Sequence, residues 1–227
     1  MGPSTVPLVG AQLMICPGFM PAAERFGLIH SVDRWIVRRA LTHLSRLHQQ
    51  GEVVCFSINL SGNSLNDDGL MPFIREQLDH YQVPTHQLCF EITETAVISN
   101  LSNATRLIDN LRAMGCQFAL DDFGVGLSSF GYLKSLSVDY LKLDGCFIKN
   151  MTRDTTDYAM VHAINYVGQT LRIKTIAEFV ENKETLEALR DIGVDYAQGY
   201  GIAKPQPLEE ALYGKQQKPA LKLVSAK

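Results

Sequence analysis

Residues 116–144 read Cys-Gln-Phe-Ala-Leu-Asp-Asp-Phe-Gly-Val-Gly-Leu-Ser-Ser-Phe-Gly-Tyr-Leu-Lys-Ser-Leu-Ser-Val-Asp-Tyr-Leu-Lys-Leu-Asp. The apolar run Cys116–Leu120 has the length and character of a buried strand and stops at two adjacent carboxylates, Asp121 and Asp122. A glycine-spaced loop follows, then serines suited to open a short helix over 128–134, then a second apolar strand over 138–143 that carries Lys142 and leads to Asp144. Near-continuous apolar strands separated by a helix imply a parallel sheet with both faces covered. Two neighbouring anions at a buried strand end repel each other and persist where a cation sits beside them, for which a divalent metal is suited. Taken alone, the pair fits a solvated strand-end aspartate followed by a helix-capping aspartate better than it fits a metal site.

The same rhythm extends in both directions. Strands are predicted over 53–59, 88–92, 173–177 and 194–197, and helices over 31–50 (capped by Ser31, with Trp35 on its apolar face), 70–81, around 104–111, around 158–171, around 186–189 and over 207–212. No G-x-G-x-x-G follows any strand, which removes support for a dinucleotide fold. Regular strand–helix alternation points to an α/β, modified TIM-like (β/α) barrel. Six strands are accounted for, and residues 1–17 can supply one more at most, so the barrel reads as N-terminally incomplete or as having a replaced first strand. The division expected is an atypical N-terminus over 1–17, a barrel over 18–213 and a polar, frayed tail over 214–227.

The 227 residues are 46% apolar and carry a net charge of −3, enough for one large core and no global field for a DNA or RNA polymer. No apolar run approaches the roughly 20 residues of a membrane span. Five cysteines without C-x-x-C spacing read as buried reduced thiols and suggest a cytoplasmic chain.

In barrels of this kind chemistry collects where strands end at their C-terminal side. There the chain places Asn59, Glu91 with Glu94, Asp121 with Asp122, Lys142 with Asp144, Glu178 with Glu181, and Gln198. An amide oxygen and several carboxylates are hard donors suited to Mg2+ or Mn2+, and the lack of a His or Cys cluster argues against zinc. A carboxylate shared by two metals suits phosphodiester cleavage. Lys142 fits a phosphate contact, a water-orienting group or a strand-end ion pair. A Mg2+-dependent enolate-forming enzyme uses similar strand-end groups, and composition and periodicity do not separate the two.

The ordered motifs FMPAAERFGLI, SINLS, FEITE, ALDDFGVGLSSFGYL, DYLKLD, AEFVEN and DYAQGY resemble the EAL domain family from about Phe19 to Leu212. The resemblance implies a barrel with one antiparallel strand and a phosphodiesterase that opens cyclic-di-GMP to linear pGpG with two metals. It implies Asn59, Glu91, Asp121, Asp122 and Glu178 as metal ligands and Lys142 as the contact to the nucleophilic water. Glu94 would steady the loop after D-D-F-G, while Glu181 and Gln198 would support the site and contact the nucleotide. Related proteins often form homodimers and carry sensor or GGDEF domains ahead of this one.

Several positions depart from the family pattern. Val125-Gly126-Leu127 stands where Thr-Gly-Tyr is common, and Phe179 where glycine is common. The E-A-L glutamate and the arginine two residues beyond it are missing. The nearest stretch, Ala11-Gln12-Leu13, offers only the neutral oxygen of Gln12. Two readings follow: a hydrolase slowed by the loss of one ligand, or a catalytically degenerate domain that binds the nucleotide and regulates a partner.

Overall fold

The alternation of apolar strands and amphipathic helices folds into one eight-stranded sheet whose strands are hydrogen-bonded in sequence order. The structure, a computed structural model, describes residues 8–10, 22–23, 25–125, 130–213 and 222–223. In chain order the elements are β1 (Leu8–Gly10), α1 (Ile29–Gln49), β2 (Cys55–Asn59), α2 (Leu70–Tyr81), β3 (Leu88–Thr93), α3 (Glu94–Ser99), α4 (Leu101–Ala113) and β4 (Gln117–Phe123). They continue with β5 (Tyr140–Leu143), α5 (Gly145–Ile148), α6 (Thr155–Leu171), β6 (Lys174–Ala177), α7 (Lys183–Ile192), β7 (Tyr196–Ala197), α8 (Leu208–Tyr213) and β8 (Lys222–Leu223). Strands β1 to β7 pair in parallel, and β8 runs antiparallel to β7.

Both strands absent from the six-strand reading are therefore present. One comes from residues 1–17, where Leu8 pairs with Cys55 and Gly10 with Ser57. The other comes from the tail, where Lys222 pairs with Ala197. The sheet thus draws on both segments that the sequence reading set outside the barrel. Among the described residues no pairing joins β8 to β1, so the sheet is curled and incomplete as a closed barrel.

Strand alternation sorts the side chains into two sets. Outward-facing Phe56, Phe90, Phe118, Leu120 and Leu141 are fully buried under the helices. Inward-facing Cys55, Cys89, Ala119, Tyr140 and Ile176 pack on one another and on Tyr196 as a plug inside the barrel. The next inward positions along each strand form the layer above that plug, and they are the polar residues of the site. The thiols of Cys55 and Cys116 are held up at about 12 by burial, and Cys89 is also raised well above its ordinary value, so all three are inert.

Helix α1 turns differently from the expectation. Ile29, Asp33, Val37, Ala40, Leu41 and Leu44 form its buried stripe, while Trp35 is 50% exposed. The stripe is centred on Val37, which carries Trp35 out to the rim. The helix begins at Ile29, so Ser31 lies inside its first turn and does not cap it.

Candidate active site

Five parallel strands, β2 to β6, set the frame. Asn59 pairs with Glu91, Thr93 with Asp121, and Lys142 with Ile176, so these side chains reach the same end of the barrel. The β4–β5 register slips between Leu120 and Phe123: Leu120 pairs with Leu141 and Phe123 with Leu143. Asp121 and Asp122 thus oppose the single residue Lys142 in a β-bulge. In a regular strand two consecutive side chains point to opposite faces. Here Asp122 takes a left-handed φ of 53°, and both carboxylates stay on the mouth side. Asp121, Asp122 and Glu178 offer oxygens within 4.8 Å of one another, a group that could hold a metal ion.

Lys142 sits at the centre. Its Nζ lies 2.8 Å from Glu91 Oε2, 2.8 Å from Asp121 Oδ1 and 2.9 Å from Glu178 Oε1, with all four side chains at most 12% exposed. Burial alone would strip the proton from this ammonium, but the three carboxylates outweigh it and hold the pKa well above the ordinary lysine value. The negative charge exceeds what one cation neutralises. Burial raises Glu178 to about 7 against the pull of Lys142, and Asp121 adds to the rise. Burial also raises Asp122, with further repulsion from Asp121 and Asp144. An excess of buried carboxylate facing the mouth is the donor chemistry a hard divalent cation satisfies, and the residues fit such a group.

The surrounding groups hold this centre in place. Gln198 donates from Nε2 to Glu178 Oε1 at 2.5 Å, and its own N–H donates to Ala177 O. Glu94, 1% exposed, accepts from Gly124 N at 2.8 Å and from the Tyr132 hydroxyl at 2.5 Å, which ties the start of the D-D-F-G loop to α3. Tyr132 was not singled out by its sequence context, because an aromatic residue in an apolar run carries no mark of a polar partner. Asn59 is exposed at the end of β2, and Glu181 is exposed beyond Glu178; neither is drawn into the ion-pair cluster. Gln12 lies outside the described residues.

Phe179, which stands where the family commonly has glycine, adopts a left-handed φ of 51°. That conformation costs about 1 kcal/mol for a residue with a side chain. Its ring lies over Gly145, where any added Cβ would overlap it, and Lys149 Nζ lies 4.4 Å from the ring centroid. This packing and the cation–π contact offset the strain. Gly199 is bound by a tighter constraint. A Cβ there would overlap the Val180 backbone nitrogen and oxygen, and φ is 152°. Gly199→Ala should therefore destabilise the fold by about 2–4 kcal/mol and loosen the contact between Gln198 and Glu178. Thermal denaturation checks the first effect; an unchanged midpoint would show that the loop yields freely.

The sequence model of the EAL domain matches residues 9–205. The chain belongs to the EAL domain family. It is 47% identical over 190 residues to the cyclic di-GMP phosphodiesterase PdeB of Shewanella oneidensis, covering 84% of this chain and 22% of that relative. It is 37% identical over 201 residues to the cyclic di-GMP phosphodiesterase PdeF of Escherichia coli, covering 88% and 27%. This EAL chain thus spans about a quarter of the length of these relatives. Among solved structures it resembles the PaMucR phosphodiesterase in complex with c-di-GMP, at 32% identity and a TM-score of 0.81 over 85% of this chain and 78% of that one. It also resembles the Xanthomonas citri FimX EAL domain in complex with c-diGMP, at 32% identity and a TM-score of 0.80 over 84% and 76%. Among the described residues no helix of this EAL domain is long and apolar enough to cross a membrane.

The raised Glu178 gives the site a pH dependence. Its folded-state pKa of about 7 lies above the ordinary value of 4.5, so protonated Glu178 favours the metal-free fold at low pH. That contribution is lost as pH rises from about 4.5 through 7. A cation needs the ionised form, so Mn2+ affinity should rise roughly tenfold between pH 6 and pH 8 with proton release. Titration calorimetry in buffers of different ionisation enthalpy measures both; a flat profile would remove Glu178 from the metal site.

Proposed function

We propose that this domain hydrolyses cyclic-di-GMP to linear pGpG, at a rate lowered by the missing first-strand glutamate. The observation that carries the reading is the convergence of Glu91, Asp121, Asp122 and Glu178 around Lys142 at one end of the barrel. The names of the relatives support the substrate.

Asn59, Glu91 and Asp121 would hold one Mg2+ or Mn2+, and Asp121, Asp122 and Glu178 a second. When bound, the metals supply Lewis-acid charge and a water acidic enough to act near neutral pH. Lys142 orients the attacking water and places positive charge beside the phosphoryl oxygens as they gain negative charge. Glu94 and Tyr132 hold the Gly124 amide and with it the direction of Asp122. Gln198 fixes Glu178, and exposed Glu181 remains available for the nucleotide. The inert buried thiols are consistent with a cytoplasmic setting, and the relatives' greater length with sensor or GGDEF domains elsewhere in a parent protein that homodimerises. We keep 18–213 as the barrel unit, with short flanking strands contributed from 1–17 and 214–227.

The test compares wild type with Gln12→Glu, which restores a carboxylate at the E-A-L stretch. Chromatography of Mn2+ incubations with cyclic-di-GMP should show pGpG from both, formed at least about tenfold faster by the variant. Nucleotide binding by calorimetry with no pGpG from either protein would favour the degenerate binder.

A further inference from the structure

The polar groups that the site does not use include one buried carboxylate, Asp33 on α1, which is 1% exposed. Its neighbours one helical turn away are the core residues Ile29 and Val37. Among the described residues no cation lies within ion-pair distance of it. A carboxylate at such a position costs several kcal/mol unless it is hydrogen-bonded, and a plain core position would be better filled by an apolar side chain.

The hydrogen bonds of Asp33 all go to one place. Its Oδ2 accepts from Ser61 N at 3.2 Å, from Ser61 Oγ at 2.6 Å and from Ser64 Oγ. Ser61 precedes the 3-10 turn Gly62–Asn66 in the position of a helix cap, yet its side chain makes no capping bond. The hydroxyl is turned to Asp33 instead. The next residue of α1, Arg34, grips the other end of the same turn, with Nη2 3.0 and 2.8 Å from the two carboxylate oxygens of Asp67. On its far side the turn is pressed against α3: a Cβ at Gly62 would lie 2.9 Å from Ala96 Cβ.

This turn begins three residues after Asn59. The amide of Asn59 is exposed and bonds to no described residue, so what the fold fixes is the backbone on either side and the point from which the side chain starts. On the strand side Leu60 N–H donates to Glu91 O at 2.8 Å. On the turn side the anchor is Asp33. We propose that Asp33 is a positioning residue, a buried clasp from α1 that holds the Asn59 oxygen toward the metal site. The inference rests on the reading of Asn59 as a metal donor. It matters more in a chain without the first-strand glutamate, where fewer donors remain on that side.

The test is Mn2+ titration calorimetry on the full chain, as wild type, Asp33→Leu, Ser64→Ala and the core control Leu44→Ala. Asp33→Leu keeps the approximate size but accepts no hydrogen bond from Ser61 or Ser64. We expect Mn2+ affinity to fall about tenfold in Asp33→Leu and about threefold in Ser64→Ala, with turnover at saturating Mn2+ within twofold of wild type. Leu44→Ala should lower the melting temperature with Mn2+ affinity unchanged. Should Asp33→Leu not fold, Ser64→Ala decides. Unchanged affinity in the Asp33 and Ser64 variants, or an equal loss in Leu44→Ala, would overturn the clasp while leaving the metal site standing. Wild type that binds no Mn2+ would overturn both.

Discussion

Asp121→Ala is expected to lower cyclic-di-GMP turnover by at least about a thousandfold, or roughly 4 kcal/mol of transition-state stabilisation. Asp121 belongs both to the ion-pair cluster around Lys142 and to the group of carboxylates that could hold a metal. It receives Lys142 Nζ at 2.8 Å, accepts the Asp122 N–H at 3.0 Å, and belongs to the group of oxygens with Asp122 and Glu178. Truncation removes a donor from both proposed metals and frees the bulge that directs Asp122. The chain already lacks one carboxylate of its family's set, so no spare ligand is at hand to compensate. Product formation under saturating Mn2+, with circular dichroism to confirm the fold, is the readout. Retention of a tenth or more of wild-type turnover would mean that catalysis does not pass through this residue.

Lys142→Met is expected to destabilise the metal-free protein by about 3–5 kcal/mol, because it leaves buried carboxylates without their cation. For a domain of this size that is a fall of roughly 10 °C in melting temperature. The sign of the pH dependence follows. Without the ammonium the raised pKa of Glu178 climbs further, so the deficit is small near pH 4 and grows as pH rises toward 8. Mn2+ should restore part of the loss, since it supplies the missing charge, while turnover stays at least about a hundredfold down. Equal melting temperatures for variant and wild type at pH 8 without metal would show that the three ion pairs contribute nothing net.

The strand–helix rhythm, the strand ends and the identity of nearly every polar group at the mouth were legible in the chain, because buried parallel strands read as apolar runs that stop at polar residues. Other features were not legible. The bulge that turns Asp121 and Asp122 to one side depends on how β4 pairs with β5, and pairing register leaves no local mark in either strand. The first and last strands are three and two residues long, too short for periodicity to show. They are recognisable only by their partners, Cys55–Ser57 and Tyr196–Ala197. Asp33 sits at a helical spacing where an apolar residue would be expected, and its partners lie about thirty residues further along the chain. Lys142 was identified, but the sequence left open whether it contacts phosphate, water or carboxylate. The structure places it among the carboxylates, where it acts as the cation of the site.

The most direct measurement is metal reconstitution of the purified chain. Protein stripped with a chelator is given cyclic-di-GMP, then Mn2+ or Mg2+, and the nucleotides are separated by chromatography. The expected result is no product before metal and linear pGpG after it. Binding of cyclic-di-GMP with no pGpG under either metal would contradict a hydrolytic site at Asp121, Asp122 and Glu178.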